Sequence, residues 1–212
     1  MPSQFIWDYD RSEILADGIV HVLGIVMATI GAAVLMVMTV PSSDIVRLAA
    51  VTVYLIGLLA MFCSSAAYNL WPVSPFKWRL RQLDQSAIYL LIAATYTAFM
   101  LPTYGAFSVV LAVVWGAALV GMAIKLFRPG YLDRASVVLY LAVGWSGIFT
   151  MGPIAAALAP ITLWLVFAGG VLYSVGVVFH LWSRLRFQNA IWHGFVLTAA
   201  AFHYAAVLTS LG

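Results

Sequence analysis

The hydrophobic positions of this chain do not alternate with polar ones at the period of a strand, and they do not form the narrow stripe of a surface helix. They run in long blocks divided by short polar or turn-forming stretches. A helix needs about 20 mostly apolar residues to cross the hydrocarbon core of a bilayer, and connections between packed helices are short. Those lengths predict seven spans, at about 15–39, 48–70, 84–102, 106–125, 135–152, 160–181 and 189–211. The breaks carry turn chemistry: "PSSD" at Pro41, "WPVSP" at Trp71, "PTYG" at Pro102, "RPGYLD" at Arg128, and "GP" at Gly152 with Pro160 closing the loop. The predicted fold class is all-α, an integral membrane bundle of seven transmembrane helices forming a single domain over residues 1–212.

Composition supports that class. With 65% hydrophobic and 8% charged residues, a water-soluble domain of 212 residues would lack the polar surface to cover itself. The single cysteine, Cys63, lies inside an apolar run, which leaves no disulfide framework and no cysteine-rich metal motif. The start "MPSQFIWDYDRSEI" lacks the basic, apolar and small-residue parts of a secretory signal, so the first span is expected to be retained.

The formal charge of +3 suggests nucleic acid only until the basic residues are placed. Alternation of the seven spans puts Arg11, Lys77, Arg79, Arg81, Lys125, Arg128, Arg134, Arg184 and Arg186 at one face and Arg47 alone at the other. Cytoplasmic loops retain Lys and Arg, so the N-terminus is expected in the cytoplasm and the C-terminus outside. The charge is then a topology signal and a contact for anionic lipid head groups, with no nucleic-acid partner. The expected location is the cell membrane, as a multipass protein of a bacterial inner membrane.

Ionisable and amide side chains at membrane depth are costly and mark functional candidates. Glu13, Asp17 and His21 follow one another at intervals of four and share one face of the first span. Ser65 and Asn69 share a face at the end of the second span, Asp84, Gln85 and Ser86 open the third, His180 ends the sixth, and Asn189 and His193 open the seventh. All of these fall in the inner half of the bundle; only His203, about ten residues or ~15 Å beyond His193, lies deeper. Such clustering points to a polar cavity open to the cytoplasm.

The same stretches carry a family resemblance. "EILADGIVHVLG", "SSAAYNLWP", "RLRQLDQSAIYLLIAATYT" and "GGVLYSVGVVFHLWSRLRFQNAIWHGFVL" resemble hemolysin III proteins, the bacterial branch of the progestin and adipoQ receptor family, itself related to alkaline ceramidases. The resemblance implies a zinc ion near the cytoplasmic face, held by one histidine at the end of the second span and two, four apart, at the start of the seventh. It also implies a serine four residues before the first histidine and an aspartate opening the third span. Ser65, Asp84 and His193 agree with that pattern. Asn69 and Asn189 stand where it requires histidines, and Gln85 stands where many bacterial members have a histidine after the aspartate.

Zinc binds imidazole, thiolate and carboxylate well, and a neutral carboxamide is a poor substitute. His193 and Asp84 are then the remaining ligands of the implied set, and zinc is expected to be absent or weak. The asparagines preserve size and polarity, with bonding expected between Asn69 and Asn189 or to Asp84. Glu13, Asp17, His21 and Gln85 form a possible second polar cluster. Asp84 also suits an N-cap of the third helix, and His203 a bond to a neighbouring backbone. Three function classes follow: a metal-free sensor-like protein binding a lipid, a fatty acid or another small ligand; a zinc-dependent lipid amide hydrolase, which the asparagines oppose; and an ion- or proton-conducting, cytolytic pore.

Overall fold

The computed structural model describes residues 9–104, 108–128, 130, 133–147 and 157–211. Among them seven α-helices follow one another: α1 Arg11–Thr39, α2 Ile45–Leu70, α3 Pro75–Tyr104, α4 Val109–Phe127, α5 Asp133–Trp145, α6 Pro160–Leu181 and α7 Gln188–Thr209. No strand occurs among the described residues, so the all-helical class holds.

The helix starts follow from local chemistry. Asp10 caps α1 by accepting from the Glu13 N–H at 2.9 Å, while the Glu13 carboxylate accepts from the Asp10 N–H at 3.0 Å. Asp44 caps α2 by accepting from the N–H groups of Val46 and Arg47, both at 3.0 Å. Pro160 opens α6 at a position where its missing N–H costs nothing. Phe187, at φ 58°, turns the chain into α7 through the left-handed region, a strained choice for a bulky residue.

Six helices are long and apolar enough to cross a bilayer: Arg11–Ser42 counted with its following turn, Ile45–Leu70, Pro75–Thr103, Val109–Phe127, Pro160–Leu181 and Gln188–Thr209. The fifth expected span is represented by α5, whose apolar part Ala135–Trp145 is too short to cross by itself. Residues 148–152 of that expected span, the expected start of the fourth at 106, and parts of the "PTYG", "RPGYLD" and "GP" breaks lie outside the described residues. The third helix begins at Pro75, well before the expected 84. Lys77, Arg79 and Arg81 depress the hydropathy of "PFKWRLRQL", yet nothing there breaks a helix and Pro75 suits the first turn.

α2 packs along α3, α6 along α7 and α3 along α4, while α1 lies against both α2 and α7; α5 touches α3, α4 and α6 more sparsely. Tyr54, Leu58 and Phe62 of α2, Ala87 and Leu91 of α3, and Val196 and Ala200 of α7 belong to the main core. A second cluster joins Tyr89 and Ala93 of α3 to Val114 and Ala118 of α4 and Val143 of α5. Close approach relies on small residues, as a Cβ at Gly57 would lie 2.7 Å from Ala94 Cβ and 3.3 Å from Leu91 Cα. Leu15, Ile19, Val22, Val26, Ile30 and Val37 of α1 are exposed, as a face toward lipid requires, and Cys63 is exposed on α2.

Contacts far apart in sequence fix two ends of the bundle. At one, Arg186 reaches Asp10 at 3.3 Å and the Phe187 N–H donates to the Glu13 carboxylate at 2.8 Å. At the other, Arg47 Nη1 donates to the Leu211 carbonyl at 2.6 Å.

Candidate functional site

α1 is apolar nearly all round, and its buried face is Asp17, His21, Gly24, Ala28, Gly31, Leu35 and Thr39. Gly24, Ala28 and Gly31 in the middle of that face let α1 approach α2 and α7, and at its N-terminal end the face presents an acid and an imidazole instead. Asp17 and His21 are 5% and 4% exposed, so these polar groups must find partners inside the bundle.

The partners come from α2 and α7. Asp17 Oδ1 lies 2.6 Å from His193 Nδ1. His21 Nδ1 lies 2.9 Å from the Asp17 carbonyl and 3.7 Å from its carboxylate. The two imidazoles meet edge to face with centroids 4.4 Å apart. On its other side His21 Nε2 faces the Ser65 hydroxyl at 3.3 Å and the Asn69 amide nitrogen at 3.5 Å. Asn69 Nδ2 also donates to the Ser65 carbonyl at 2.9 Å.

Members of the two expected clusters therefore meet around one centre. Asp17 and His21 join Ser65, Asn69 and His193 around a common centre. Asp84 lies close to the Ser65 hydroxyl and lines the same cavity wall as Asn69, Asn189 and His193. The carboxylate bonded to His193 is Asp17, not Asp84. Asp84 does not cap α3 either, because that helix starts more than two turns earlier. Asn189 lies beside the Tyr9 phenol, and Asn69 donates to the Ser65 carbonyl. Burial, then the Asp17 and Glu13 carboxylates, hold the Tyr9 phenol above its usual range, while the bond to Asn189 pulls it down.

Glu13 stands apart from this centre. It secures α1 to the turn before α7 through the Phe187 N–H. Gln85 lines the cavity, and its backbone carbonyl accepts from Tyr140 Oη at 2.9 Å. His180 is exposed, 4.9 Å from the Trp192 ring. His203 bonds to the Val166 carbonyl of α6 at 3.2 Å, the backbone partner expected for a lone histidine.

Above the polar centre a cavity of about 500 Å³ extends between α3, α5, α6 and α7. Both His193 and His203 line it, so it follows α7 for roughly 15 Å. Arg81, Asp84, Asn189 and His193 lie at its polar end; Leu91, Phe99, Met100, Val166 and Phe167 give the remainder an apolar wall. This is the size and polarity pattern of a small-molecule site, with a few placed polar groups and mostly hydrophobic walls.

The structure does not fit a zinc ion at the positions the family resemblance implies. Two of the three donors there are carboxamides, and the Asn69 amide is already bonded to the Ser65 carbonyl. Metal-assisted hydrolysis at Asn69, Asn189 and His193 has no ligand set to support it.

The joining of α1 to the site had a readable signal: the Asp17, His21, Gly24, Ala28 repeat is the one face of α1 that is not bulky and apolar. Periodicity placed Asp17 and His21 together, but the packing of α1 against α7 decides that they meet His193.

Comparisons with known proteins agree on the lineage of the sequence. Residues 11–204 match the model of the family described as Haemolysin-III related. The chain is 33% identical over 198 residues to the hemolysin-3 homolog of Bacillus subtilis (strain 168), covering 92% of this chain and 93% of that protein. It is 34% identical over 198 residues to hemolysin-3 of Bacillus cereus, covering 92% and 90%. The human monocyte to macrophage differentiation factor is 32% identical over 200 residues, covering 88% of this chain and 79% of the human one.

Proposed function

Because the chain belongs to the haemolysin-III-related family of multipass membrane proteins, we propose that it binds a single-chain amphiphile such as a fatty acid within the membrane and acts as a sensor-like component of membrane homeostasis. The observation that carries this reading is the cavity, with Arg81, Asp84, Asn189 and His193 at one end and apolar side chains along the rest. A polar head seated among those groups avoids the cost of an unsatisfied charge in hydrocarbon, and the chain fills space that would otherwise lack van der Waals partners.

The reading includes seven spans with the N-terminus in the cytoplasm. Nine of ten basic residues then fall on the cytoplasmic side. The contact of Arg186 with Asp10 at one end, and of Arg47 with Leu211 at the other, supports the same alternation. The polar centre faces the cytoplasm and the cavity extends outward from it.

Binding is favoured over zinc-dependent amide hydrolysis at the family positions because Asn69 and Asn189 replace two imidazoles there. The test is solvent extraction of full-length protein purified in a lipid-free detergent, followed by mass spectrometry. One predominant single-chain amphiphile near one equivalent per chain is the expected result. Only bulk two-chain phospholipid, in the proportions of the host membrane, would overturn the reading.

A further inference from the structure

Asp17, His21 and His193 each present a ligand-capable atom, and these atoms lie within 4.8 Å of one another. Two imidazole nitrogens and a carboxylate oxygen, converging from two helices, make one of the three-ligand sets that zinc uses when a fourth position stays open. None of the three is a carboxamide. Asp17 and His21 are buried, and the His193 side chain is 12% exposed.

The surroundings favour a rigid site. Ser65 Oγ, 3.3 Å from His21 Nε2, is placed to accept from that nitrogen as an outer partner does around a metal-binding histidine, once Nδ1 exchanges the proton it shares with the Asp17 carbonyl at 2.9 Å for the metal. Helical spacing fixes Asp17 and His21 one turn apart on α1, and the helix start at Gln188 sets His193 facing them from α7. The 2.6 Å contact of Asp17 with His193 is hydrogen-bond length. Ligands about 2.0–2.2 Å from a tetrahedral ion stand about 3.3 Å from each other, so an ion asks the 2.6 Å pair to open by under ~1 Å and the wider pairs, none beyond 4.8 Å, to close by up to ~1.5 Å.

We propose that Asp17, His21 and His193 form a binding site for a divalent transition-metal ion of the zinc class, built across α1 and α7 and distinct from the Asn69, Asn189 and His193 set. The site shares one ligand with the family positions and draws its other two from the first helix. His193 is also the ligand that lines the cavity, so the open coordination position is nearest the polar end. This goes beyond the lipid-binding reading and stands whether or not the cavity holds an amphiphile.

The test uses full-length protein in detergent, stripped with chelator, desalted and titrated with Zn²⁺, with bound metal read by elemental analysis and Co²⁺ loading read by visible absorption. The expected result is about one zinc per chain and low-coordination Co²⁺ bands. Asp17→Ala, His21→Ala and His193→Ala should each weaken binding by at least the ~10–100-fold that loss of an outer partner costs. Asn69→Ala combined with Asn189→Ala should retain it. Circular dichroism checks the fold of each variant, and His21→Gln replaces His21→Ala if the latter does not fold. Three results would overturn the proposal: no zinc on the wild-type chain above buffer level, undiminished binding by folded Asp17 and His21 variants, or loss of zinc in the folded double asparagine variant.

Discussion

Asp17 Oδ1 and His193 Nδ1 stand 2.6 Å apart although 176 residues separate them, and their contact ties the first helix to the last at the polar end of the bundle. Buried polar groups that lose a partner cost about 1–3 kcal/mol. Asp17→Ala should lower stability by that amount, and so should His193→Ala. The double variant should lose less than the sum of the two, with a coupling of about 0.5–3 kcal/mol. Thermal unfolding in detergent of the four metal-stripped proteins measures this; strictly additive losses would mean that the contact contributes nothing.

Gly57 faces Ala94 and the Leu91 backbone at distances that leave no room for a methyl group. Gly57→Ala should therefore push α2 away from α3 and cost about 1–3 kcal/mol through overpacking. Gly116, with no atom within 4 Å of a built Cβ, is the control: Gly116→Ala on α4 should leave the midpoint unchanged or raise it. Equal effects of Gly57→Ala and Gly116→Ala on thermal unfolding would contradict this packing account.

Restoring the histidines of the family pattern separates the two possible metal positions. In a His21→Ala background, which should bind zinc poorly, adding Asn69→His and Asn189→His should recover tight binding, because with His193 they supply three imidazoles. Zinc titration measures the recovery. If the triple variant folds and remains without zinc, Asn69 and Asn189 do not occupy the two histidine positions of the family pattern.

The start of α1 should resist acid. The Ser12 hydroxyl and then the Glu13 N–H hold the Asp10 carboxyl below its usual value of 3.8, with Arg186 adding a smaller effect. A carboxylate depressed in the folded state contributes stability that is complete above its unfolded pKa and is lost as pH falls through the folded one. The cap and its contact with Arg186 should persist at pH 4–5 and fray only below about 3.8. Carboxyl carbon NMR of Asp10 should give a midpoint below that value, and Ser12→Ala should move it up.

Much of the fold was legible because membrane crossing imposes a length that hydropathy shows directly. The helix at Pro75 began earlier than hydropathy indicated, since Lys77, Arg79 and Arg81 mark where apolar character begins rather than where helical hydrogen bonding begins. The site was legible by halves. Spacing put Asp17 with His21 and Ser65 with Asn69, but the rotation of α1 against α7 brings the two halves together, and that rotation is set by Gly24, Ala28 and Gly31 packing against other helices. Motif comparison drew Asp84 toward His193; depth along the helices agreed, and only the side-chain geometry assigned that contact to Asp17.

The central claim is that the cavity above His193 holds one single-chain amphiphile. Thr95 lines that cavity and satisfies its hydroxyl within its own helix, on the Leu91 carbonyl at 2.8 Å, so Thr95→Trp fills the space without orphaning a buried partner. Native mass spectrometry of the intact chain released from detergent, with and without added fatty acid, is the direct measurement. The account predicts one bound amphiphile on the wild-type protein and its loss, at unchanged helix content, in Thr95→Trp. A wild-type chain that stays at its bare mass after fatty acid is added, or a Thr95→Trp variant that binds as fully as wild type, would contradict it.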